Sequence, residues 1–473
     1  MNASASFYLY IPTQMRIKIY QTKNKHPIPT IFSKKKMYLA SNISVFLAFK
    51  KKKRVQTLNN KKTMMKKNLC MMLLAGFLIG CSNDDGGGLR PKERKKIELS
   101  RSEQVMTEET TDFAFRFFQQ VNASEKKQAN WMISPLSASM ALGMITNGAD
   151  GNTLEELKAT LGFSEANIDE MNAYYRRLLT ELPDLDNTTQ LGLANSIWIN
   201  QGFEVKKTFV DVNKQMYDAR VSNLDFSSAE APSVINDWCS DHTNGRITEV
   251  IDKIAPDAMM YLLNALYFKG IWADKFNKSK TKDEDFTNAD GSRTKVKMMN
   301  QTTNCSFSYN DHFWMAKFPY GNGAYSMTLL LPDEDLGLDK CLEALTGENW
   351  EEWNMRWTPQ ELIVKMPRFE IKYNKSLIED MKALGIKEAF TSSANFANLS
   401  DKALYLGLLN QHTYLKVDEE GTEAAAVTTG GMLDTSAGPP PGPVEFYLNR
   451  PFAFIITETS TGTVLFTGKV TSL

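Results

Sequence analysis

From Arg101 to Gly438 the chain shows no linker, low-complexity tract or internal repeat, and this uninterrupted length is its strongest constraint on the fold. We therefore expect one large domain over residues 101–473. Helix patterns dominate its first part and strand patterns its last part. Because the two types do not alternate strictly, the order indicates an α+β fold rather than a parallel α/β sheet. With 42% hydrophobic residues, the chain can fill a large core.

Local patterns predict individual elements. A helical apolar repeat, an N-cap followed by proline, and a Thr-x-x-Glu capping box predict helices in three places. These places are Phe113 with Phe117 and Val121, Ser134 with Pro135, and Thr153 with Glu156. Apolar runs bounded by turn residues predict strands. These runs cover residues 326–331, 362–366, 451–457 and 463–470.

The segment 64–81 has the layout of a secretory signal: two lysines, a short apolar run, then Gly80 and Cys81. Its end, Leu78-Ile79-Gly80-Cys81, resembles the lipobox of bacterial lipoproteins, in which the cysteine becomes lipidated after cleavage. The alternative is an ordinary cleaved signal with an incidental cysteine. The lipobox predicts a protein anchored by lipid at Cys81 to the outer membrane or surface of a Gram-negative bacterium, or secreted from it.

The regions around the signal contain no pattern of a folded core. Residues 1–63 include the basic run 50–54 and no acidic residue, and we interpret them as sequence upstream of the mature protein. The polar, glycine-rich start of residues 82–100 is typical of a flexible tether. Acidic residues directly after Cys81 resemble a surface-export signal of some lipoproteins.

Charge and motif content disfavour two classes of function. Residues 1–81 hold 16 Lys and Arg and no Asp or Glu, so the remainder has 39 basic and 55 acidic residues. An acidic body makes nucleic acid an unfavourable partner, because phosphate binding needs clustered Lys and Arg. No GxSxG, HExxH, P-loop or CxxC motif indicates an enzyme, and the three histidines after the signal are scattered. Cys239, Cys305 and Cys341 lack metal-ligand spacing and are expected to be small buried hydrophobes, so neither cofactor nor metal is expected.

The most informative stretch reads VDEEGTEAAAVTTGG from Val417 to Gly431, and no proline follows it before Pro439. From its residues alone it is a flexible loop or a short alanine-rich helix. EEGTEAAA resembles the hinge of inhibitory serpins, and NRPFAFII at 449–456 resembles their closing strand. The hinge residues implied are Glu419, Glu420, Gly421, Thr422, Glu423, Ala424, Ala425 and Ala426.

Further matches to this family follow in order along the chain. They are NWMISPLS at 130–137, LANS at 193–196, TNGRI at 243–247 and NALYFKGIW at 264–272. The resemblance implies a fold with a large, mostly antiparallel central sheet, smaller sheets, about nine helices and an exposed reactive loop over about 419–443. It also implies a monomer that acts as an irreversible suicide substrate of serine proteases, and possibly of cysteine proteases. The protease would be its covalent partner, and the chain itself would not be an enzyme.

In this mechanism the cut loop enters the central sheet as an extra strand, which excludes proline and favours small inward side chains. The alternating set that meets this requirement is Thr422, Ala424, Ala426, Thr428 and Gly430. A serpin that only binds or carries a ligand would be expected to have bulky or charged residues there. That carrier class remains the alternative, and a tethered hydrolase is the next.

The family's usual hinge spacing places the cut bond between Thr435 and Ser436, with Met432, Leu433 and Asp434 as alternatives. A small residue before the bond predicts an elastase-like target, and Leu433 or Met432 would suit chymotrypsin-like enzymes. Trypsin is not expected, because no Lys or Arg occurs between Glu423 and Asn449.

The resemblance also implies residues beneath and beside the strands that open. They are Ser134, Ser137, Asn264, Trp272, Gln411 and His412. Gln411 stands where many serpins have histidine, and His412 follows one place later. A glutamine both donates and accepts hydrogen bonds, so it can replace a histidine there without an ionisable group.

Overall fold

The computed structural model describes residues 92–126, 129–420 and 442–473. The described residues contain nine α-helices: α1 (Arg101–Ser124), α2 (Pro135–Thr146), α3 (Gly151–Leu161), α4 (Ile168–Glu181), α5 (Lys207–Tyr217), α6 (Ala231–His242), α7 (Leu338–Leu342), α8 (Gly347–Asn354) and α9 (Ile378–Leu384).

Strands occupy much of the second half. They are β1 (Asn130–Ile133), β2 (Gln190–Asn200), β3 (Arg220–Leu224), β4 (Met260–Lys269), β5 (Lys282–Thr287), β6 (Arg293–Tyr309), β7 (Phe313–Tyr320), β8 (Tyr325–Pro332), β9 (Thr358–Pro367), β10 (Phe369–Ser376), β11 (Asn410–Val417), β12 (Val444–Tyr447), β13 (Phe452–Glu458) and β14 (Val464–Val470).

The largest sheet in the described chain has nine strands, in the order β1-β14-β13-β8-β7-β6-β9-β12, with β5 joined to β6. Its pairs are antiparallel except for β12, which runs parallel to β9. Two smaller sheets have the orders β3-β2-β4 and β10-β11. The predicted α+β class, with a large, mostly antiparallel sheet and smaller ones, is confirmed.

The helix patterns at the start of the domain are confirmed. Phe113, Phe117 and Val121 are fully buried on α1, as the apolar repeat predicts. Ser134 caps α2, because its hydroxyl accepts a hydrogen bond from the Ser137 N–H at 3.2 Å. That bond satisfies one of the N–H groups that every helix start leaves without an intrahelical partner.

The capping box predicted at Thr153 is wrong, because α3 already begins at Gly151. The Thr153 hydroxyl instead donates to the Glu388 carboxylate at 2.7 Å. The Glu156 carboxylate accepts from the N–H groups of Lys387 and Glu388, both at 2.7 Å. Two contacts with a distant turn therefore replace the local motif, and they join α3 to the segment after α9.

The predicted tether is too long, because residues 92–100 are packed on the domain. Ile97 is 4% exposed and its N–H donates to the Ser460 hydroxyl at 3.0 Å. Ser100 caps α1 through a capping box with Glu103. One buried isoleucine and one cap hold this polar stretch, and so little apolar content leaves no signal in the sequence.

No helix of the described chain is both long and apolar enough to cross a membrane. Cys239 and Cys341 are buried and Cys305 is half-buried, and all three are free thiols. Burial raises the pKa of the Cys239 thiol to about 11. At neutral pH such a thiol stays protonated and packs as a small hydrophobe.

Candidate functional site

Strands β4 and β11 each have one paired and one free edge. β11 pairs along its whole length, from Asn410 to Val417, with β10. β4 pairs over its whole length with β2. Among the described residues no strand pairs with the second edge of either one. Each free edge presents backbone donors and acceptors that a further strand could satisfy.

The two free edges belong to one cleft. Trp272, just after β4, donates its backbone N–H to the Glu420 carbonyl at 3.1 Å and its indole N–H to the Asp418 carbonyl at 3.0 Å, just after β11. The C-terminal ends of both strands therefore meet, and the strands point the same way. The residues that line the cleft between them include Leu266, Phe268, Tyr414 and Lys416.

One side chain from a third element reaches across this cleft. Arg246 follows α6 and places its guanidinium carbon 5.4 Å from the centroid of the Tyr414 ring on β11. Thr243 and Ile247, from the same segment, also line the cleft. A cation above an aromatic ring is attracted by the ring's quadrupole, so this contact restrains β11.

The C-terminal end of the cleft is held by a charged group that we call the hinge-end cluster: Trp272, Lys278, Arg368, Glu419 and Glu420. The Glu419 carboxylate accepts hydrogen bonds from the Arg368 guanidinium at 2.6 and 2.9 Å. Lys278 forms an ion pair with Glu420. The Trp272 indole lies on the Tyr320 ring with the centroids 4.5 Å apart.

Glu419 is the buried member of this cluster, with only 1% of its side chain exposed. Burial alone would raise the pKa of its carboxyl, but hydrogen bonds from Arg368 and Thr281 outweigh it and lower that pKa below the ordinary value. Glu419 is therefore a carboxylate at neutral pH, fixed one residue before Glu420, where the described part of β11's continuation ends.

The N-terminal end of β11 is held by a neutral group that we call the Ser134 cluster: Ser134, Ser137 and Gln411. The Gln411 amide oxygen accepts from the Ser134 N–H at 2.9 Å, and its NH₂ group donates to the Ser134 carbonyl at 2.8 Å. The Ser134 hydroxyl donates to the Leu465 carbonyl at 2.8 Å. A glutamine can make both bonds at once because its amide carries a donor and an acceptor.

Asn264 and His412 lie outside this cluster. The Asn264 amide donates to the Asn195 amide oxygen at 2.8 Å, and its own oxygen is buried without a hydrogen-bond partner. His412 is half-buried and opposes Asn374 on β10. Burial lowers the pKa of its imidazole, although Glu249 acts in the opposite direction. The sequence grouped these residues with Ser134, but the structure separates them from it.

Sequence reasoning missed Arg368, Thr281 and Asn195. Arg368 is 51 positions before Glu419 and stands in the one-residue gap between β9 and β10, so no local pattern connects the two. Asn195 was part of a matching motif but had no assigned role. A buried carboxylate in the hinge was the available signal, because it requires a cationic partner.

The predicted loop begins and ends at described residues. Glu419 and Glu420 continue β11, and the chain re-enters the described part before β12 at Val444. The rest of the predicted hinge (421–426) and the predicted bond with its alternatives (432–436) lie outside the described residues, as does Cys81. A chain that turned back after Glu420 would run antiparallel to β11 along its free edge. The cleft can therefore accept this chain's own next segment as a strand.

Comparisons with known proteins agree with this geometry. A family model described as Serpin (serine protease inhibitor) matches residues 108–473. Human Serpin B3 is 31% identical over 78% of this chain and 99% of its own length. Leukocyte elastase inhibitor A of mouse is 33% identical over 76% of this chain and 98% of its own length.

Solved structures match as well. The native state of the thermophilic serpin tengpin superposes with a TM-score of 0.71 and 31% identity, over 81% of this chain and 98% of tengpin. A thyroxine-binding globulin in complex with thyroxine gives a TM-score of 0.70 and 26% identity, over 78% of this chain and 99% of the globulin.

Proposed function

The chain belongs to the serpin family, and from this premise we propose that it inhibits a serine protease by letting its cut loop enter the cleft between β4 and β11. The observation that carries the proposal is the pair of free edges that face one cleft. A strand in that position would bond to both edges at once, antiparallel to each.

The proposed reaction starts as ordinary proteolysis. The protease serine attacks the Thr435 carbonyl carbon, and the bond to the Ser436 nitrogen breaks, which leaves an acyl-enzyme and a new amino terminus. Insertion of the segment before Thr435 would then displace the tethered protease. A distorted oxyanion hole no longer stabilises the transition state of deacylation, so hydrolysis stops halfway. The inhibitor supplies no catalytic residue in this scheme.

The driving force would be strand addition. If on the order of ten new ladder bonds contribute roughly 0.5–1.5 kcal/mol each, insertion gains about 5–15 kcal/mol before packing is counted. A gain of this size equals the stability of a whole domain, so the state before cleavage would be held by a kinetic barrier. The small side chains of the alternating set from Thr422 to Gly430 would let the strand enter without steric conflict.

For the target, we propose an elastase-like protease first and a chymotrypsin-like one second. Thr435 suits a shallow pocket, and a shift of the bond by two or three residues would offer Leu433 or Met432 instead. A trypsin-like pocket would find no cation between Glu423 and Asn449. The similarity to a leukocyte elastase inhibitor supports the same order.

Incubation with a panel of elastase, chymotrypsin, cathepsin G and trypsin tests the proposal. We expect an SDS-stable complex with elastase, and a released C-terminal peptide that begins at Ser436 by mass spectrometry. Thr422→Arg should be cleaved at the same bond without forming the complex, because insertion would bury an unpaired charge. Potent inhibition of trypsin, or complexes formed undiminished by Thr422→Arg, would contradict the mechanism.

For the address, we propose a monomer anchored at the outer membrane or cell surface through lipid on Cys81. Support comes from the lipobox after a short apolar run and from the acidic, glycine-rich segment that follows. Cys81→Ala should release the protein from the membrane fraction into the soluble fraction. If the variant still required detergent for extraction, another segment would be the anchor.

A second candidate function is carriage of a ligand without inhibition. It is favoured by one observation, the similarity to thyroxine-binding globulin in complex with thyroxine. The two functions differ in what loop cleavage does to the unfolding temperature. An inhibitor gains stability because the loop enters the sheet, whereas a carrier whose loop stays outside does not.

A further inference from the structure

A row of aromatic rings leads from the base of the loop to the surface. Phe446 on β12 is fully buried, and its ring centroid lies 6.4 Å from that of Phe307 on β6. The Phe307 ring in turn lies 6.0 Å from the Trp314 ring and 6.4 Å from the Tyr309 ring. Tyr309 is 71% exposed and Trp314 43% exposed. We call these two exposed residues the aromatic platform.

The register of the sheet directs the loop toward this platform. β12 begins at Val444, which opposes Leu362 of the parallel strand β9. The preceding residues of β9, from Thr358 to Glu361, pair with β6 on one edge, and among the described residues no strand covers their other edge. Thr358 opposes Phe307, which is two residues from Tyr309. A chain that leads into Val444 along this edge therefore comes from the side of the platform.

The segment that leads into Val444 cannot pair with that edge as an ordinary strand. It reads Pro439-Pro440-Pro441-Gly442-Pro443, and four of its five residues lack a backbone N–H. Such a run favours the polyproline II helix, which has about 3.1 Å of rise per residue and loses little entropy when it binds. Exposed aromatic rings are the surface that proline-rich helices recognise in other proteins.

Length and charge suit the platform. Gly442 and Pro443 are described and exposed, so the three prolines before them are the residues available for contact. From Pro439 to Val444 the polyproline helix spans about 15 Å. No charged residue lies between Asp434 and Glu445, so an apolar segment would meet an apolar surface.

We propose that Pro439–Pro443 of this chain docks on Tyr309 and Trp314 as a polyproline II helix. The docked segment fixes the C-terminal leg of the loop to the nine-stranded sheet. The N-terminal leg after Glu420 is left as the part of the loop that moves. This arrangement gives the proline run a role that does not depend on which protease is the target.

Hydrogen exchange of the full chain, measured by mass spectrometry, tests the docking. The reporters are the amides that flank the prolines, at residues 436–438 and at Gly442. We expect the double variant Tyr309→Ala/Trp314→Ala to exchange these amides about threefold to tenfold faster than the wild type, the factor that an aromatic contact provides. Replacing Pro439, Pro440 and Pro441 by serine should raise the rate by the same factor, and the combined variant should show no further increase.

Tyr405→Ala is the matched control, because Tyr405 is 55% exposed and lies outside this sheet. It should leave the reporter amides unchanged, and exchange in β2 and β4 should be unaffected in every variant, which verifies folding. Equal exchange in the wild type and the platform variant would overturn the proposal. Additive effects of the two sets of substitutions would also overturn it. Protection that grows with protein concentration would assign the platform to a second copy and likewise overturn intramolecular docking.

Discussion

The two ends of the cleft are held by different chemistry. The hinge-end cluster relies on charge, since Glu419 is buried against Arg368 and Glu420 pairs with Lys278. The Ser134 cluster relies on neutral hydrogen bonds, because Gln411 satisfies both backbone groups of Ser134. The charged end lies where the loop leaves β11, and the neutral end lies about one strand length away.

This difference indicates a division of roles. A buried carboxylate keeps its stabilising effect only while its cationic partner stays in place, so a movement of the hinge that breaks the Arg368 contact destabilises the whole cluster. The Ser134 cluster contains no ionisable group and fixes β11 to α2 at any pH in the physiological range. We therefore expect the hinge end to set when the cleft opens and the Ser134 end to keep the fold intact.

The largest expected effect comes from the neutral end. Gln411→Leu leaves the N–H and carbonyl of Ser134 buried without partners, which costs about 2–5 kcal/mol in the free energy of unfolding. Denaturant unfolding followed by tryptophan fluorescence measures it. His412→Leu is the matched control, since His412 makes neither bond to Ser134. Equal loss in the two variants would contradict the assignment of Gln411.

A smaller effect is expected at the charged end. Glu419→Gln removes the charge that holds Arg368 and should cost about 1–2 kcal/mol, because charge-assisted hydrogen bonds are replaced by a neutral one. Glu420→Gln is the control, and its more exposed pair with Lys278 should be worth about 0–1 kcal/mol. The same denaturation experiment compares them. The comparison of the two ends fails if Glu419→Gln costs more than Gln411→Leu.

The two ends should also differ in their response to pH. The pKa of Glu419 is lower in the folded state, so its contribution to stability is present above the unfolded pKa of about 4.3 and is lost as pH falls through the folded pKa. Thermal unfolding from pH 7 to pH 3 should show a loss below pH of about 4.5 that is smaller in Glu419→Gln. An identical profile in that variant would remove Glu419 from the account.

The smallest effect concerns the contact across the middle of the cleft. Arg246→Gln removes the cation above Tyr414, a contact worth about 0.5–1 kcal/mol, and should speed loop insertion about twofold to fivefold. Stopped-flow fluorescence after addition of the protease measures that rate. Lys372→Gln is the control, because Lys372 lies 5.8 Å from the same ring but belongs to β10, away from the cleft. Faster insertion in the control alone would contradict a role for Arg246.

Much of the fold followed from local patterns, whereas contacts over long sequence distances did not. The apolar repeat at Phe113 and the cap at Ser134 are written within a few residues, so they were predicted. Glu156 was misinterpreted because its partners at Lys387 and Glu388 are 231 and 232 positions away. The packing of Ile97 depends on Ser460, 363 positions further on, and a single buried apolar residue has no periodicity to detect.

The site shows the same limit. The role of Gln411 as a partner for Ser134 followed from its ability to donate and accept, once the family resemblance had placed the two residues together. The separation of Asn264 from that cluster could not be predicted, because it depends on which side chain across β2 and β4 completes the pair. Asn195 does so, in register with Asn264.

The central claim is that the cleft between β4 and β11 accepts the loop as a strand, and the unfolding temperature before and after loop cleavage tests it most directly. The loop is cut with elastase under conditions of full cleavage, and both forms are heated in a calorimeter. We predict a rise of at least roughly 10 °C in the wild type, from an added ladder worth about 5–15 kcal/mol, and none in Thr422→Arg cut at the same bond. An unchanged unfolding temperature of the cleaved wild type would contradict insertion into the cleft.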